Sequence, residues 1–173
     1  MMNLQSSDFE LFGLAPRFAQ DRAAIDSRWK ELQREAHPDR FAAQGEAAKR
    51  LALQWSVRIN EAYQRLKDPL RRASYLCELR GAPIEAERNT GMPIDFLQQQ
   101  MAWREALEEA DDASGLRALA DELDAARQAR LSRIAELLDE RDDAAGAAGE
   151  VRALMFIERF GEDVEDRLAQ QGQ

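Results

Sequence analysis

The chain has one cysteine and one histidine. Cys77 therefore has no partner for an internal disulfide, and one imidazole with one thiol falls short of a zinc site, so no metal and no cofactor are expected. No apolar run approaches the ~20 residues that a bilayer-crossing helix needs. The opening stretch MMNLQSSDFE lacks a basic region followed by an apolar one, so no secretory signal is expected. The cytoplasm is the expected compartment, without membrane attachment. Glycine and proline are sparse, at 9 and 5 of 173 residues, and β-branched residues are few. Alanine, leucine, glutamate, arginine and glutamine dominate. These are helix formers, so an all-α protein is expected.

A hydrophobic content of 45% with 33% charged residues supplies a core and excludes disorder. The net charge of −9 is split unevenly. Residues 1–75 carry 13 Lys+Arg against 10 Asp+Glu, a balance of +3, whereas residues 76–173 carry 11 against 23, a balance of −12. Such asymmetry favours two modules with different partners, and the acidic second half argues against nucleic-acid binding.

The segment DFELFGLAP (8–16) reads as a short helix with Asp8 as cap, ended by Gly13 and Pro16. A helix over about Asp21–Ala36 follows, with Ile25, Trp29, Leu32 and Ala36 on one face. Pro38 disfavours helical geometry at His37, so the helix ends there and a loop containing Gly45 follows. The next helix covers about Glu46–Lys67, with Leu51, Trp55, Ile59, Ala62, Tyr63 and Leu66 as its apolar side. Trp29, Trp55 and Tyr63 fall among aliphatics at helical spacing and read as core, and Cys77 reads as a small buried hydrophobe. DPLRRASYLCEL (68–79) reads as a turn and a further helix.

Residues 80–93, RGAPIEAERNTGMP, read as a linker. Three amphipathic helices follow over about 93–110, 115–140 and 146–169. Their short connections predict a three-helix bundle. In the first of them Phe96, Trp103 and Leu107 form one stripe, while Leu97 and Met101 lie on another side with Ile94 and Glu105 nearby. In the last, Leu154, Ile157, Val164 and Leu168 form a stripe, and Phe156 and Phe160 point away from it. Spacing alone leaves two readings of these surplus residues: a binding patch, or packing against the first module or within a wide core.

His37 also admits several readings. A catalytic imidazole needs a nucleophile, an oxyanion donor or a metal beside it, and the sequence supplies none, so no enzyme is expected. The histidine could simply cap a helix end in a purely structural helical protein. Its surroundings suggest a third role. Lys30 and Arg34 lie nearly opposite the core stripe, Arg28 flanks it and Arg40 follows the turn, which makes a basic face for an acidic partner, diluted by Glu31.

A His-Pro-Asp tripeptide between a basic amphipathic helix and a longer helix resembles the J-domain. DFELFGLAPRF, HPDRF, INEAYQRLKDPLRRASYL, FLQQQMAWREAL and ALMFIERF together resemble the HscB family, the J-type co-chaperones of iron–sulfur cluster assembly, over essentially the whole chain. The resemblance implies a J-domain helical hairpin over 1–77, a linker over 78–92 and a three-helix bundle over 93–173. It implies stimulation of ATP hydrolysis by an HscA-like chaperone of the seventy-kilodalton heat-shock class, through His37, Pro38 and Asp39 with Arg28, Lys30, Arg34 and Arg40. It implies delivery of an IscU-like iron–sulfur scaffold protein held by Leu97, Gln98, Met101, Ala102, Glu105 and Phe156. The alternative is a general J-domain co-chaperone with a different client. Two positions depart from the common J-domain pattern: Ala36 stands where an aromatic often precedes the tripeptide, and Arg40 stands where lysine often follows it. The metal-binding cysteine motifs of some members are not present here.

Overall fold

The computed structural model describes residues 3–172; Met1, Met2 and Gln173 lie outside the described residues. Seven α-helices occur and no strand is found among the described residues, as the composition predicts. The chain divides into two compact units between Leu76 and Cys77.

In the first unit, α1 is Asp8–Phe12, α2 is Arg22–Glu35 and α3 is Glu46–Lys67, and α4, Pro69–Leu79, begins there and runs on past Leu76. The capping of α1 differs from the expectation. Ser7 is the cap, its hydroxyl accepting from the Glu10 amide at 3.1 Å, and Gly13 ends the helix at φ 65°, a left-handed conformation that glycine adopts without steric cost. With the first turn already satisfied by Ser7, the Asp8 carboxylate is free to turn inward. It is fully buried and bonded by Arg58 at 2.8 Å and by both arms of the Arg65 fork at 2.6 and 2.9 Å. The carboxylate in turn holds the Arg65 guanidinium above its ordinary pKa. The Asp8 amide donates to the Tyr75 hydroxyl at 3.0 Å, so one short helix is tied to both α3 and α4.

Asp21 caps α2 through the Ala23 amide at 3.0 Å. Ile25 and Leu32 bury from α2 against Ala52, Ile59, Ala62 and Leu66 of α3, and Trp29 stacks on Tyr63 with ring centroids 4.5 Å apart. The stretch expected as an open loop is a 3-10 helix over Pro38–Gln44. Leu51, expected on the apolar side of α3, is 50% exposed. Ala52 takes the inward place, and Leu51 lines a cavity of about 400 Å³ beneath the 3-10 turn, together with Leu32, Ala36, Phe41, Trp55 and Ile59.

In the second unit, α5 is Ile94–Glu109, α6 is Ala113–Ala135 and α7 is Ala144–Gln171. A π-turn over Glu136–Glu140 widens the end of α6, so that the adjacent Leu137 and Leu138 are both buried. Asp112 and Asp143 cap α6 and α7. The segment expected as a linker is fastened within this unit. Ile84 is buried, and the Arg152 guanidinium on α7 donates to the carbonyls of Ile84 at 2.9 Å and Gly91 at 3.0 Å. The core joins Phe96 and Trp103 of α5, Leu119 and Leu123 of α6, and Ala153, Ile157, Phe160 and Val164 of α7. Phe160, expected to point away, is buried at 7% exposure because α7 packs against two helices and its buried face is wider than one stripe.

Two outcomes test this packing. Asp8→Asn should destabilise the first unit by about 3 kcal/mol, since it leaves two arginines facing a neutral group in a buried setting. Urea unfolding followed by circular dichroism reads this, and an unchanged midpoint would show that the ion cluster contributes nothing. Ala36→Phe should raise the melting temperature by filling the cavity beneath the turn, gaining about 1 kcal/mol; a lower melting temperature would mean that the space is too small for the ring.

Candidate functional site

The two candidate surfaces lie in different units. In the first, His37 is the N-cap of the 3-10 helix, at φ −63° and ψ 129°. That extended geometry is what the following proline favours. The His37 Nδ1 accepts from the Asp39 amide at 3.2 Å, which places the proton of the neutral ring on Nε2. The histidine side chain is 59% exposed and that of Asp39 is 92% exposed; their Nδ1···Oδ2 separation of 3.7 Å is too long for a hydrogen bond. The imidazole is therefore fixed by the backbone rather than oriented by the carboxylate, and Nε2–H is presented outward as a donor.

The basic residues form a graded set. Lys30, Arg34 and Arg40 are exposed. Arg40 folds back, its amide bonding the His37 carbonyl at 3.0 Å and its Nη1 reaching the Arg34 carbonyl at 3.4 Å, so it partly satisfies the open end of α2. Arg28 is half-buried and paired with Glu31 at 3.0 Å, which makes its charge less available than the spacing suggests. Pro38 is half-buried. Trp29 and Tyr63, expected as core, stack on each other but are only half-buried, and Trp55, also half-buried, lines the cavity below.

In the second unit, Leu97, Gln98, Met101, Ala102 and Glu105 are all exposed on α5. Leu97 is 45% and Met101 66% exposed, and Ile94, one turn earlier, is 80% exposed. Ile94 was absent from the residue set that the resemblance implied. Its i, i+3, i+7 spacing to Leu97 and Met101 was the signal that includes it. Phe156, which spacing left between a binding patch and a wide core, packs against the core in part. It is half-buried, edge-on to Phe96 at 5.7 Å and stacked on Phe160 at 5.6 Å. The Arg104 guanidinium stands 5.5 Å over its ring. Arg104 had no distinguishing sequence signal, since only the packing of α5 on α7 brings it there.

Cys77 is buried, and burial pushes its thiol up to about 11, so at neutral pH it is a protonated apolar group, as expected. No set of three or more His, Cys, Asp or Glu side chains able to hold a metal ion occurs among the described residues. No helix among them is long and apolar enough to cross a membrane.

Residues 92–165 match the family model of the HSCB C-terminal oligomerisation domain. The co-chaperone protein HscB homologue of Burkholderia multivorans is 52% identical over 167 residues, 95% of each chain. That of Burkholderia thailandensis is 50% identical over the same share. Among solved structures, the chaperone HscB of Vibrio cholerae superposes with a TM-score of 0.79 at 36% identity, covering 95% of this chain and 99% of that one. The human co-chaperone protein HscB gives a TM-score of 0.86 at 25% identity, covering 96% and 84%. At about half identity over 95% of its length to curated relatives, and superposing over the same share on a solved HscB, the chain belongs to the HscB family of co-chaperones.

Proposed function

We propose that this chain is a J-type co-chaperone of iron–sulfur cluster assembly that works in the cytoplasm as an adaptor and not as an enzyme. Its first unit engages an HscA-like heat-shock chaperone and stimulates ATP hydrolysis there. Its second unit presents an IscU-like scaffold protein. The observation that carries the reading is the exposed His37-Pro38-Asp39 turn at the end of the basic α2. The Nε2–H donor, the free Asp39 carboxylate and the cations of Lys30, Arg34 and Arg40 offer complementary contacts to an acidic chaperone surface, and Arg28 adds to the same field. Binding of this kind accelerates hydrolysis only if it is tighter to the chaperone state that hydrolyses ATP. The reacting groups belong to the chaperone.

The scaffold contact is assigned to Leu97, Gln98, Met101, Ala102 and Glu105 of α5, with the exposed edge of Phe156. Exposed aliphatic side chains in a helical row beside a carboxylate form an apolar anchor with a charged rim.

His37→Gln keeps size and polarity but changes the donor geometry. It should abolish single-turnover stimulation of chaperone ATP hydrolysis while leaving the circular dichroism spectrum intact. Full stimulation by the folded variant would remove the turn from the mechanism. Leu97→Ala combined with Met101→Ala should weaken scaffold binding by about 1–2 kcal/mol per side chain, measured by calorimetry. Both residues are exposed, so the fold should be unaffected, and unchanged affinity would move the client site elsewhere. If wild-type protein stimulates the chaperone but the scaffold adds nothing to the stimulation, the chain serves a different client.

A further inference from the structure

We propose that Arg130 is a positioning residue that sets the rotation of α5, and with it the outward face assigned above to the scaffold; the inference rests on that assignment. Arg130 lies on α6 and is only 8% exposed. Its Nη1 bonds Glu150 on α7 at 2.9 Å, and Glu150 is itself 6% exposed. Its Nη2 donates to Gln99 at 3.1 Å and Asp95 at 3.3 Å, both on α5. Its Cζ stands 5.0 Å over the ring of Phe96, also on α5. One buried cation therefore touches α5 at three residues while anchored to α7.

Position on the helix gives this contact its meaning. At ~100° per residue, Asp95, Phe96 and Gln99 share one side of α5, and Leu97, Met101 and Glu105 lie nearly opposite. Holding the first set fixes where the second set points. Among the described residues, the other polar contacts to α5 lie further along it, from Gln100 to the Met92 sulfur at 3.7 Å and from Arg167 to the Leu107 carbonyl at 2.9 Å. Its N-cap is Pro93, which makes no side-chain capping bond. Its buried anchors are Phe96 and Trp103, with Ala106 and Leu107 partly buried beside them, and apolar burial restrains rotation less sharply than a directional bond. A planar guanidinium with donors in a fixed fork adds that sharper restraint, which a lysine ammonium does not. The restraint also reaches Phe156. The ring beneath the Arg130 cation is the same Phe96 ring that meets Phe156 edge-on at 5.7 Å. Arg130 thus couples α5 to the aromatic on α7 that completes the proposed contact.

The test uses the full-length protein and two variants. Arg130→Lys retains a cation for Glu150 but loses the fork. Asp95→Ala with Gln99→Ala removes the grip from the α5 side, at two exposed positions, and leaves Arg130–Glu150 intact. Hydrogen exchange followed by mass spectrometry should show α5 amides exchanging about tenfold faster in both variants, with the buried amides of α6 and α7 unchanged. Affinity for a purified IscU-type scaffold should fall about tenfold through lost preorganisation. Stimulation of the chaperone in the absence of scaffold should stay at the wild-type level. Wild-type protection of α5 in the double alanine variant would overturn the proposal. So would faster exchange spread evenly over all three helices, or loosening of α5 without loss of scaffold affinity. A wild-type protein with no affinity for the scaffold would sink the scaffold assignment instead, and the exchange pattern would still decide whether Arg130 fixes α5.

Discussion

A single pre-proline constraint organises the first unit. Pro38 excludes helical geometry at His37, so α2 stops at Glu35 and His37 is left extended, at φ −63° and ψ 129°. The chain then reverses through a 3-10 turn into α3, and the hairpin follows from that reversal. The same constraint sets which atoms the turn exposes. In the extended conformation the imidazole reaches over the Asp39 amide and accepts from it, which fixes the tautomer and turns Nε2 outward. A helical His37 would have carried its ring along the face of α2 instead. The proline therefore defines both where the hairpin bends and what the bend presents.

Buried charge supplies the direction that apolar packing lacks. In the first unit Asp8 gathers Arg58 and Arg65. In the second, Arg152 fastens residues 83–91 through their carbonyls and Arg130 joins Glu150 to α5. Burying such groups costs several kcal/mol each unless every one meets a well-placed partner. The cost is what makes them selective. A leucine core tolerates a helix that slides or rolls by a fraction of a turn, whereas a two-pronged guanidinium–carboxylate contact does not. Each of these clusters joins segments that are separated in sequence, and each adds direction to a helix or stretch that apolar side chains alone hold less sharply.

The features legible in the sequence were those with local causes. Asp21 before α2, Gly45 before α3 and Pro38 after Ala36 act through the neighbouring backbone, so the limits of α2 and α3 follow from caps and pre-proline sterics. The outward placement of Leu97 and Met101 also followed, because Phe96 and Trp103 are larger and claim the core. Other features had causes outside the local segment. Asp8 looked like a cap until Ser7 took that bond, and nothing near it announces Arg58 and Arg65, fifty or more residues away. Phe156 and Phe160 fell outside a single helical stripe, but α7 meets two neighbours and buries a broader arc, which takes in Phe160 fully and Phe156 in part. Arg130 read as one more charge on an amphipathic helix, since its role depends on two other helices.

An exposed apolar row on α5 raises a physical difficulty that the charge distribution answers. Ile94, Leu97 and Met101 offer water a hydrophobic surface of the kind that drives non-specific association. The half of the chain that carries this row has a charge balance of −12. Like-charged copies repel one another over about a Debye length, ~8 Å at physiological ionic strength, which is enough to oppose contact between two such faces. A partner of lower or opposite charge meets no such barrier. Under the proposed scaffold contact, the acidity of the second half favours a partner of lower or opposite charge, and the apolar row supplies the area that such a partner would bury. The first unit, with its balance of +3, also exposes apolar side chains, Leu51, Leu53 and Val57 on α3, and there no acidic surplus surrounds them.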